Sequence, residues 1–140
     1  MLYLDTSALL KLYIREQDSE LVQAAVSAQP QPLPIWELQQ AELTNALHLK
    51  VFWGDITQAQ AETQLRLFRE RFKKALYIFP EIDRSALMEC FHQLSLETMH
   101  LGCRTMDILH VACACQIGAT RFLSFDQRQN ALATKAGLTL

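Results

Sequence analysis

The sequence has few of the residues that mark linkers, secreted scaffolds or membrane proteins. Glycine and proline number four each among 140 residues, which leaves little room for flexible linkers or low-complexity tails. No apolar run approaches the roughly 18 residues that a membrane-spanning helix needs. Residues 1–5 lack the basic start of a signal peptide and reach an acid at once. We therefore expect neither a membrane span nor a secretory signal.

Paired cysteines and an excess of positive charge are absent as well. The four cysteines, Cys90, Cys103, Cys113 and Cys115, form no C-x-x-C pair, which predicts buried thiols in a reducing cytoplasm. Thirteen basic and 15 acidic residues give a net charge of −2. That balance excludes a protein that coats nucleic acid by bulk positive charge.

What the sequence does contain is an alternation of short β-prone runs with helical segments. Half of the residues are apolar, so the chain can bury a core, and we expect one domain over residues 1–140. The candidate strands are residues 2–4, 33–35, 77–79, 122–125 and 138–140. The candidate helices are residues 8–13, 19–28, 36–52, 57–76, 85–99, 105–117 and 130–136. This order predicts an α/β fold with a parallel sheet.

Two of the candidate strands end in aspartate, at Asp5 and Asp126. Ligands of open α/β sheets bind beyond the carboxyl ends of the strands, and adjacent strands lie about 4.8 Å apart. If these two strands are neighbours, their carboxylates share one small region. The ordinary alternative for each is an N-cap, because each aspartate precedes a helix.

Asp107 lies in a helix that is apolar on nearly every side, which implies burial. A buried carboxylate is costly unless it is paired or bound to metal. The alternative is an acid stabilised by the helix dipole and by an N-cap at Thr105. His110 lies three residues further on the same face, and we consider it a supporting residue rather than a ligand.

Glu42 is the fourth candidate acid, beside an apolar face formed by Leu38, Ala46 and Leu49, with Asn45 three residues further. Glu37 is its rival, although a surface acid near a helix start is ordinary. Carboxylates drawn together repel, by about 4 kcal/mol for a pair at 4 Å and an effective dielectric of 20. Mg²⁺ or Mn²⁺ is the natural compensator, and such ions activate water at phosphoryl groups.

Five segments resemble one known family in order and spacing. They are Leu4-Asp5-Thr6-Ser7-Ala8-Leu9-Leu10-Lys11, Ala41-Glu42-Leu43-Thr44-Asn45-Ala46-Leu47, Arg104-Thr105-Met106-Asp107-Ile108-Leu109-His110-Val111-Ala112, Phe122-Leu123-Ser124-Phe125-Asp126-Gln127-Arg128-Gln129 and Ala133-Thr134-Lys135-Ala136-Gly137-Leu138. Together they resemble the PIN-domain ribonucleases of the VapC type, which are toxins of type II toxin–antitoxin modules. The resemblance extends over essentially the whole chain, but residues 29–36 match poorly.

The resemblance implies a PIN-like three-layer sandwich, with a parallel sheet of about five strands flanked by helices. It implies that Asp5, Glu42, Asp107 and Asp126 bind the metal. Thr6 or Ser7, together with Ser124, would then orient the carboxylates or a water. It further implies RNA cleavage that leaves a 5′-phosphate and a 3′-hydroxyl, a homodimer, and a small antitoxin as partner.

Four cations flank the acidic motifs in sequence and are our candidates for contact with RNA phosphates: Lys11, Arg15, Arg104 and Arg128. Basic residues at the rim of a metal-binding pocket suit a polyanion that is cut there. The basic side chains of the helix around residues 61–76 are better explained as a solvated face, since Glu62 can pair with Arg66.

Two other readings remain open. One is a PIN-fold interaction module that has lost catalysis, because intact residues do not prove turnover. The other is a metal-dependent phosphatase of another acidic-site α/β fold. The haloacid-dehalogenase type needs D-x-D, whereas position 7 here is serine. A receiver domain needs a phosphoacceptor aspartate after a central strand and a later lysine after another strand, and we can locate neither.

Overall fold

The computed structural model describes residues 1–140 and contains four short strands and eight helices. The strands are β1 (Leu2–Leu4), β2 (Leu33–Pro34), β3 (Tyr77–Ile78) and β4 (Arg121–Leu123). The helices are α1 (Thr6–Leu10), α2 (Ser19–Ser27), α3 (Glu37–Phe52), α4 (Gln58–Lys73), α5 (Arg84–Ser95), α6 (Thr98–Leu101), α7 (Thr105–Gln116) and α8 (Gln127–Lys135). None of the helices combines the length and apolar character needed to cross a membrane.

The chain divides into two compact units, each of which is described by itself. The first unit comprises Met1–Ala8 and Pro80–Leu140, and the second comprises Leu9–Phe79. In the first unit, β1 and β4 are parallel neighbours, with Tyr3 opposite Phe122. The rings of these two residues stack with their centroids 5.5 Å apart. Because the strands are parallel, their carboxyl ends lie at the same edge of the sheet.

Helix α7 forms much of the core of the first unit. Six of its residues are buried, Val111, Ala112, Cys113 and Ala114 among them, which confirms the burial predicted from its apolar sequence. It packs against α5 and α8. The apolar character of α7 on nearly every side is what two helical neighbours and a sheet require.

The second unit is built around the parallel pair β2 and β3, with α3 packed against α4. An aromatic cluster of Tyr13, Phe68, Phe72 and Tyr77 fills the space beside α4, with ring centroids 5.4–5.8 Å apart. These edge-on and tilted arrangements are favourable for aromatic rings. Helix α4 contributes Ala61 and Phe68 to the core, and both are buried.

The α/β class and the parallel strand pairs are as predicted, but the expected five-stranded sheet is wrong. The structure has four strands, in two sheets of two strands each. The expected fifth strand is reduced to a single bridge between Thr139 and Arg121. In β2 the backbone N–H groups of Leu33 and Ile35 donate to Leu76 O and Ile78 O, and Pro34 between them has no N–H to offer on the other edge of the strand.

Several helix ends differ from the prediction for identifiable reasons. Helix α8 begins at Gln127 instead of residue 130, because Asp126 caps it directly. Thr105 is the first residue of α7 and not its N-cap. Helix α4 ends at Lys73, so Leu76 lies beyond it and is 54% exposed. Thr57 caps α4 and Asp83 caps α5, each through its side-chain oxygen.

The C-terminus of α4 has an unusual residue for its conformation. Ala75 adopts φ 52°, and its N–H donates to Phe72 O while the N–H of Leu76 donates to Arg71 O. This is the Schellman motif, whose left-handed position glycine normally occupies. Helix α3 ends in the same motif, with Gly54 at φ 78°.

We expect Ala75→Gly to raise the free energy of unfolding by about 0.5–1 kcal/mol. A left-handed conformation costs an L-residue roughly 1–2 kcal/mol, which exceeds the entropy that glycine adds to the unfolded chain. Gly54→Ala is the matched reverse change, because a Cβ there meets no atom within 4 Å, and it should destabilise by a similar amount. Urea unfolding measures both changes. A loss of stability in Ala75→Gly would contradict the argument.

Candidate active site

The carboxylate of Asp5 is buried directly after β1, with 6% of the residue exposed. Its Oδ1 accepts hydrogen bonds from Ser7 Oγ at 2.8 Å and from Ala8 N at 2.9 Å. Its Oδ2 accepts one from Ser124 Oγ at 3.0 Å. Burial raises the pKa of the Asp5 carboxyl above its ordinary value, and these donors oppose the rise. The site therefore keeps a carboxylate in the core by surrounding it with donors.

Ser124 joins Asp5 to the second strand-end aspartate. Its hydroxyl donates to Asp5 and accepts from the backbone N–H of Asp126 at 3.0 Å. Ser7 makes the equivalent link, because its hydroxyl donates to Asp5 and accepts from Phe125 N at 3.2 Å. The parallel pairing of β1 and β4 brings these residues together, so the prediction that their ends share one region is confirmed.

Asp126 is both a helix cap and an exposed acid. Its Oδ1 accepts from Arg128 N at 2.8 Å and from Gln129 N at 3.0 Å, so the N-cap interpretation is correct for this oxygen. The other oxygen, Oδ2, makes no hydrogen bond to the protein. Capping and ligand binding are thus compatible in one carboxylate, since they use different oxygens.

Asp107 lies in the first turn of α7 and is half-buried. Its Oδ2 accepts from Arg104 N at 2.9 Å, which satisfies one of the free donors at the helix start. Gln129 ties this helix to α8, because its Nε2 donates to Asp107 O at 3.3 Å while its backbone N–H binds Asp126. We refer to Asp5, Asp107 and Asp126 as the three-aspartate site.

The thiol of Cys103 lies close enough to Asp107 and Asp126 for their charges to act on it. Burial, followed by the negative charges of Asp107 and Asp126, raises the pKa of its thiol. A protonated thiol is a poor metal ligand and a poor nucleophile. Cys103 is therefore a structural neighbour of the site, and its Sγ donates to Arg128 O at 3.4 Å.

His110 lies beneath the site as a buried side chain. Its Nδ1 and the hydroxyl of Tyr3 are 2.8 Å apart, and its charge acts on Asp5 in the direction that lowers the carboxyl pKa. The expected supporting role for His110 is compatible with this position. Thr6 begins α1 and is half-buried.

The donors of the three-aspartate site are hard oxygens, which suit Mg²⁺ or Mn²⁺ and not a soft metal. No three of the histidine, cysteine, aspartate and glutamate side chains come close enough to hold a metal ion by themselves. Mg²⁺ ordinarily uses only one or two carboxylates and completes its shell with waters and substrate phosphates. The donor chemistry therefore fits a divalent ion that keeps several of its waters.

The remaining candidate acid, Glu42, belongs to the second unit. It lies in the middle of α3 and is half-buried, and Asn45 is exposed one turn further. Its role as a fourth ligand stays a prediction.

Lys11, in the same unit, forms an ion pair with Glu16 at 3.6 Å and has 11% of its side chain exposed. Arg15 is 88% exposed and pairs with Glu20.

Arg104 and Arg128 flank the three-aspartate site in space as well as in sequence. Both are exposed, and the backbone N–H of each binds one of the aspartates. Arg128 Nη1 also donates to Gly102 O at 3.2 Å. Arg104 and Arg128 are therefore basic residues of the first unit that lie directly beside the three-aspartate site.

Sequence reasoning missed Gln129, which is 1% exposed and contacts both Asp107 and Asp126. A signal was present, because Gln129, Leu132 and Ala133 recur at the spacing of one helix face, and all three are buried. Tyr3 was also missed as the partner of His110. A β-strand residue gives no indication of which helix it contacts.

A comparison with models of known families finds a match for the chain. The sequence model described as PIN domain matches residues 2–135, which include all three aspartates and Glu42. No curated protein matches the chain. The match covers both compact units.

We expect Ser124→Ala to lower the free energy of unfolding by about 2 kcal/mol in the presence of chelator. The substitution removes a hydrogen bond to a buried carboxylate, and such charged bonds contribute about 1.5–3 kcal/mol. Ser85→Ala, at an exposed position of α5, is the control and should change stability by less than about 0.5 kcal/mol. Equal effects of the two substitutions in urea unfolding would refute the role assigned to Ser124.

Proposed function

The chain belongs to the PIN domain family, and from that membership we propose that it is a metal-dependent endoribonuclease that acts as the toxin of a toxin–antitoxin pair. PIN domains are generally metal-dependent nucleases, and PIN nucleases bind RNA. The substrate class, the toxin role and the identity of the metal are the parts that we propose.

The observation that carries the proposal is that Ser124 Oγ links the carboxylate of Asp5 to the backbone N–H of Asp126, so that both acidic residues lie at the carboxyl ends of neighbouring strands. Gln129 connects α7 to this site, because its side-chain amide donates to the backbone carbonyl of Asp107. No lysine or arginine forms an ion pair with any of these acids, so their charges remain available for a cation. A fold gains no stability from such an arrangement by itself, which supports a functional reason for it.

In the proposed reaction, one or two of the carboxylates of Asp5, Asp107 and Asp126 would bind Mg²⁺ or Mn²⁺, and waters and substrate phosphates would complete its shell. A bound ion of this kind polarises phosphoryl oxygens and acidifies water. Asp126 Oδ2, which has no protein partner, is the oxygen of that residue that can serve as a ligand. Ser7 and Ser124 keep the carboxylate of Asp5 in one orientation, and their four hydrogen bonds preorganise the site.

Arg104 and Arg128 are the residues that we propose for contact with RNA phosphates. Their exposed guanidinium groups can neutralise phosphates on either side of the cleaved bond. Lys11 is a weaker candidate than its sequence position indicated, because Glu16 already pairs with its nearly buried side chain. Arg15 remains exposed, and its ion pair with Glu20 is at the surface, where such pairs contribute little.

The proposed partners are a small antitoxin protein and a second copy of the chain. The resemblance to VapC-type toxins supports both, and so do the exposed aromatic side chains at the end of α3, where Phe52 is 82% and Trp53 is 61% exposed. Exposed apolar groups of this size are typical of interaction surfaces. We further propose a cytoplasmic location, in keeping with four cysteines that form no disulfide.

The cleavage of RNA by purified protein tests the catalytic part of the proposal, and Asp126→Asn is the decisive variant. We expect a loss of at least about a hundredfold in rate, because a charge that serves the transition state is removed. Asparagine is as good an N-cap as aspartate, so the melting temperature should change little. Chelator should stop the wild-type reaction, and added Mg²⁺ or Mn²⁺ should restore it.

Asp83→Asn is the matched control for this experiment. Asp83 caps α5 with the same geometry, since its Oδ1 accepts from Ser85 N at 2.9 Å and from Ala86 N at 3.2 Å. This variant should cleave RNA at the wild-type rate. Cleavage that resists chelator, or Asp126→Asn as active as Asp83→Asn, would overturn the metal mechanism. Absence of wild-type cleavage would favour a silent PIN-fold module.

Expression in a bacterial host tests the toxin role separately. Induction of the wild-type chain should arrest growth, Asp83→Asn should do the same, and Asp126→Asn should be harmless. Growth curves after induction give the readout, and co-expression of a small protein encoded beside the chain should restore growth. Normal growth with soluble wild-type protein would contradict the toxin role even if cleavage is observed in vitro.

A further inference from the structure

The second unit contains a cavity of about 570 Å³ between the end of α2, the segment that leads into β2, and the end of α4. Its volume is in the range of small-molecule sites. Arg71 is the only charged residue among those that line it. All of the lining belongs to the second unit, so this cavity is distinct from the three-aspartate site.

Arg71 carries a positive charge that no acid neutralises. Its guanidinium carbon lies 4.9 Å from the ring centroid of Tyr13 and 5.5 Å from that of Tyr77. Its Nη1 donates to the hydroxyl of Tyr77 at 2.7 Å. The guanidinium has further N–H donors, and no aspartate or glutamate forms an ion pair with it. The side chain is half-buried, so this charge is only partly solvated.

The aromatic pair fixes the guanidinium in place. Tyr13 and Tyr77 are both buried, and their hydroxyls are 2.7 Å apart, which makes the pair rigid. An arginine held in this way loses little conformational entropy when it binds an oxyanion through its planar fork. Preorganisation without a carboxylate partner is what an anion site requires, whereas a structural arginine of the interior is ordinarily paired.

The rest of the lining is amide and apolar. Gln23, Gln29 and Gln31 contribute amide groups, and the side-chain nitrogen of Gln29 is buried without a hydrogen-bond partner. Val26 and Leu33 provide apolar surface. A simple inorganic anion would use only the polar part of this lining, so the cavity favours an oxyanion that carries an apolar body.

We propose that this cavity binds a small amphipathic oxyanion, whose carboxylate or phosphate group is held by Arg71 and whose apolar part contacts Val26 and Leu33. The planar guanidinium group can bind either headgroup through two parallel hydrogen bonds. Ligand occupancy of the cavity would therefore depend on Arg71 and on the sign of the ligand's charge.

Heptanoate and hexyl phosphate are the test ligands, because both carry a hexyl chain and they differ only in the headgroup. Titration followed by the side-chain amide signals of Gln29 in NMR spectra should show saturable binding of at least one of them to the wild-type chain. The tighter of the two identifies the headgroup that the site prefers. Inorganic phosphate should bind at least tenfold more weakly, and hexylammonium, which has the same body and opposite charge, should not bind.

Arg71→Gln should weaken binding at least tenfold, and Arg69→Gln should leave it unchanged. Arg69 is exposed on the same helix and does not line the cavity. If Arg71→Gln does not fold, Val26→Trp provides an independent test, since it fills the cavity while Arg71 remains, and it should abolish binding. Saturation by neither anion, equal binding of hexylammonium, or unchanged binding in a folded Arg71→Gln or Val26→Trp variant would overturn the proposal.

Discussion

The carboxylate of Asp5 is a charge in the interior of the first unit, and the surrounding residues are arranged to accommodate it. A buried carboxylate without donors would be protonated or would destabilise the fold. Ser7, Ala8 and Ser124 supply three hydrogen bonds to it. The position of Ser124 depends on the pairing of β4 with β1, in which Leu123 lies opposite Leu4. The register of this short sheet and the solvation of Asp5 are therefore one constraint.

The other two aspartates show how a structural role and a chemical role combine in one side chain. Asp107 and Asp126 each use one oxygen to bind free N–H groups at the start of a helix. Each keeps a second oxygen for another partner. A helix start also offers a favourable electrostatic environment for negative charge, so the fold can place acids here at little cost and still leave them available.

Local sequence signals predicted the parts of the site that depend on a single element. An apolar run ending in an acid indicated Asp5 and Asp126, and the apolar surroundings of Asp107 indicated its unusual position. Contacts between elements were harder to predict, because no local pattern shows that Gln129 reaches the carbonyl of Asp107. The strand count failed for a similar reason, since whether Thr139 extends a strand or forms a single bridge depends on its neighbour.

Within each unit, some charged side chains are neutralised by ion pairs and others are not, which the low net charge alone does not show. In the second unit most of the partly buried cations are neutralised: Lys50 binds Glu16 at 2.7 Å and Asp55 at 3.2 Å, and Lys11 also pairs with Glu16. Arg71 is the exception. In the first unit Lys135 pairs with Glu97, whereas no lysine or arginine forms an ion pair with the three aspartates. Folding alone selects for compensated charges, so the uncompensated groups are where a ligand of opposite charge gains most from binding.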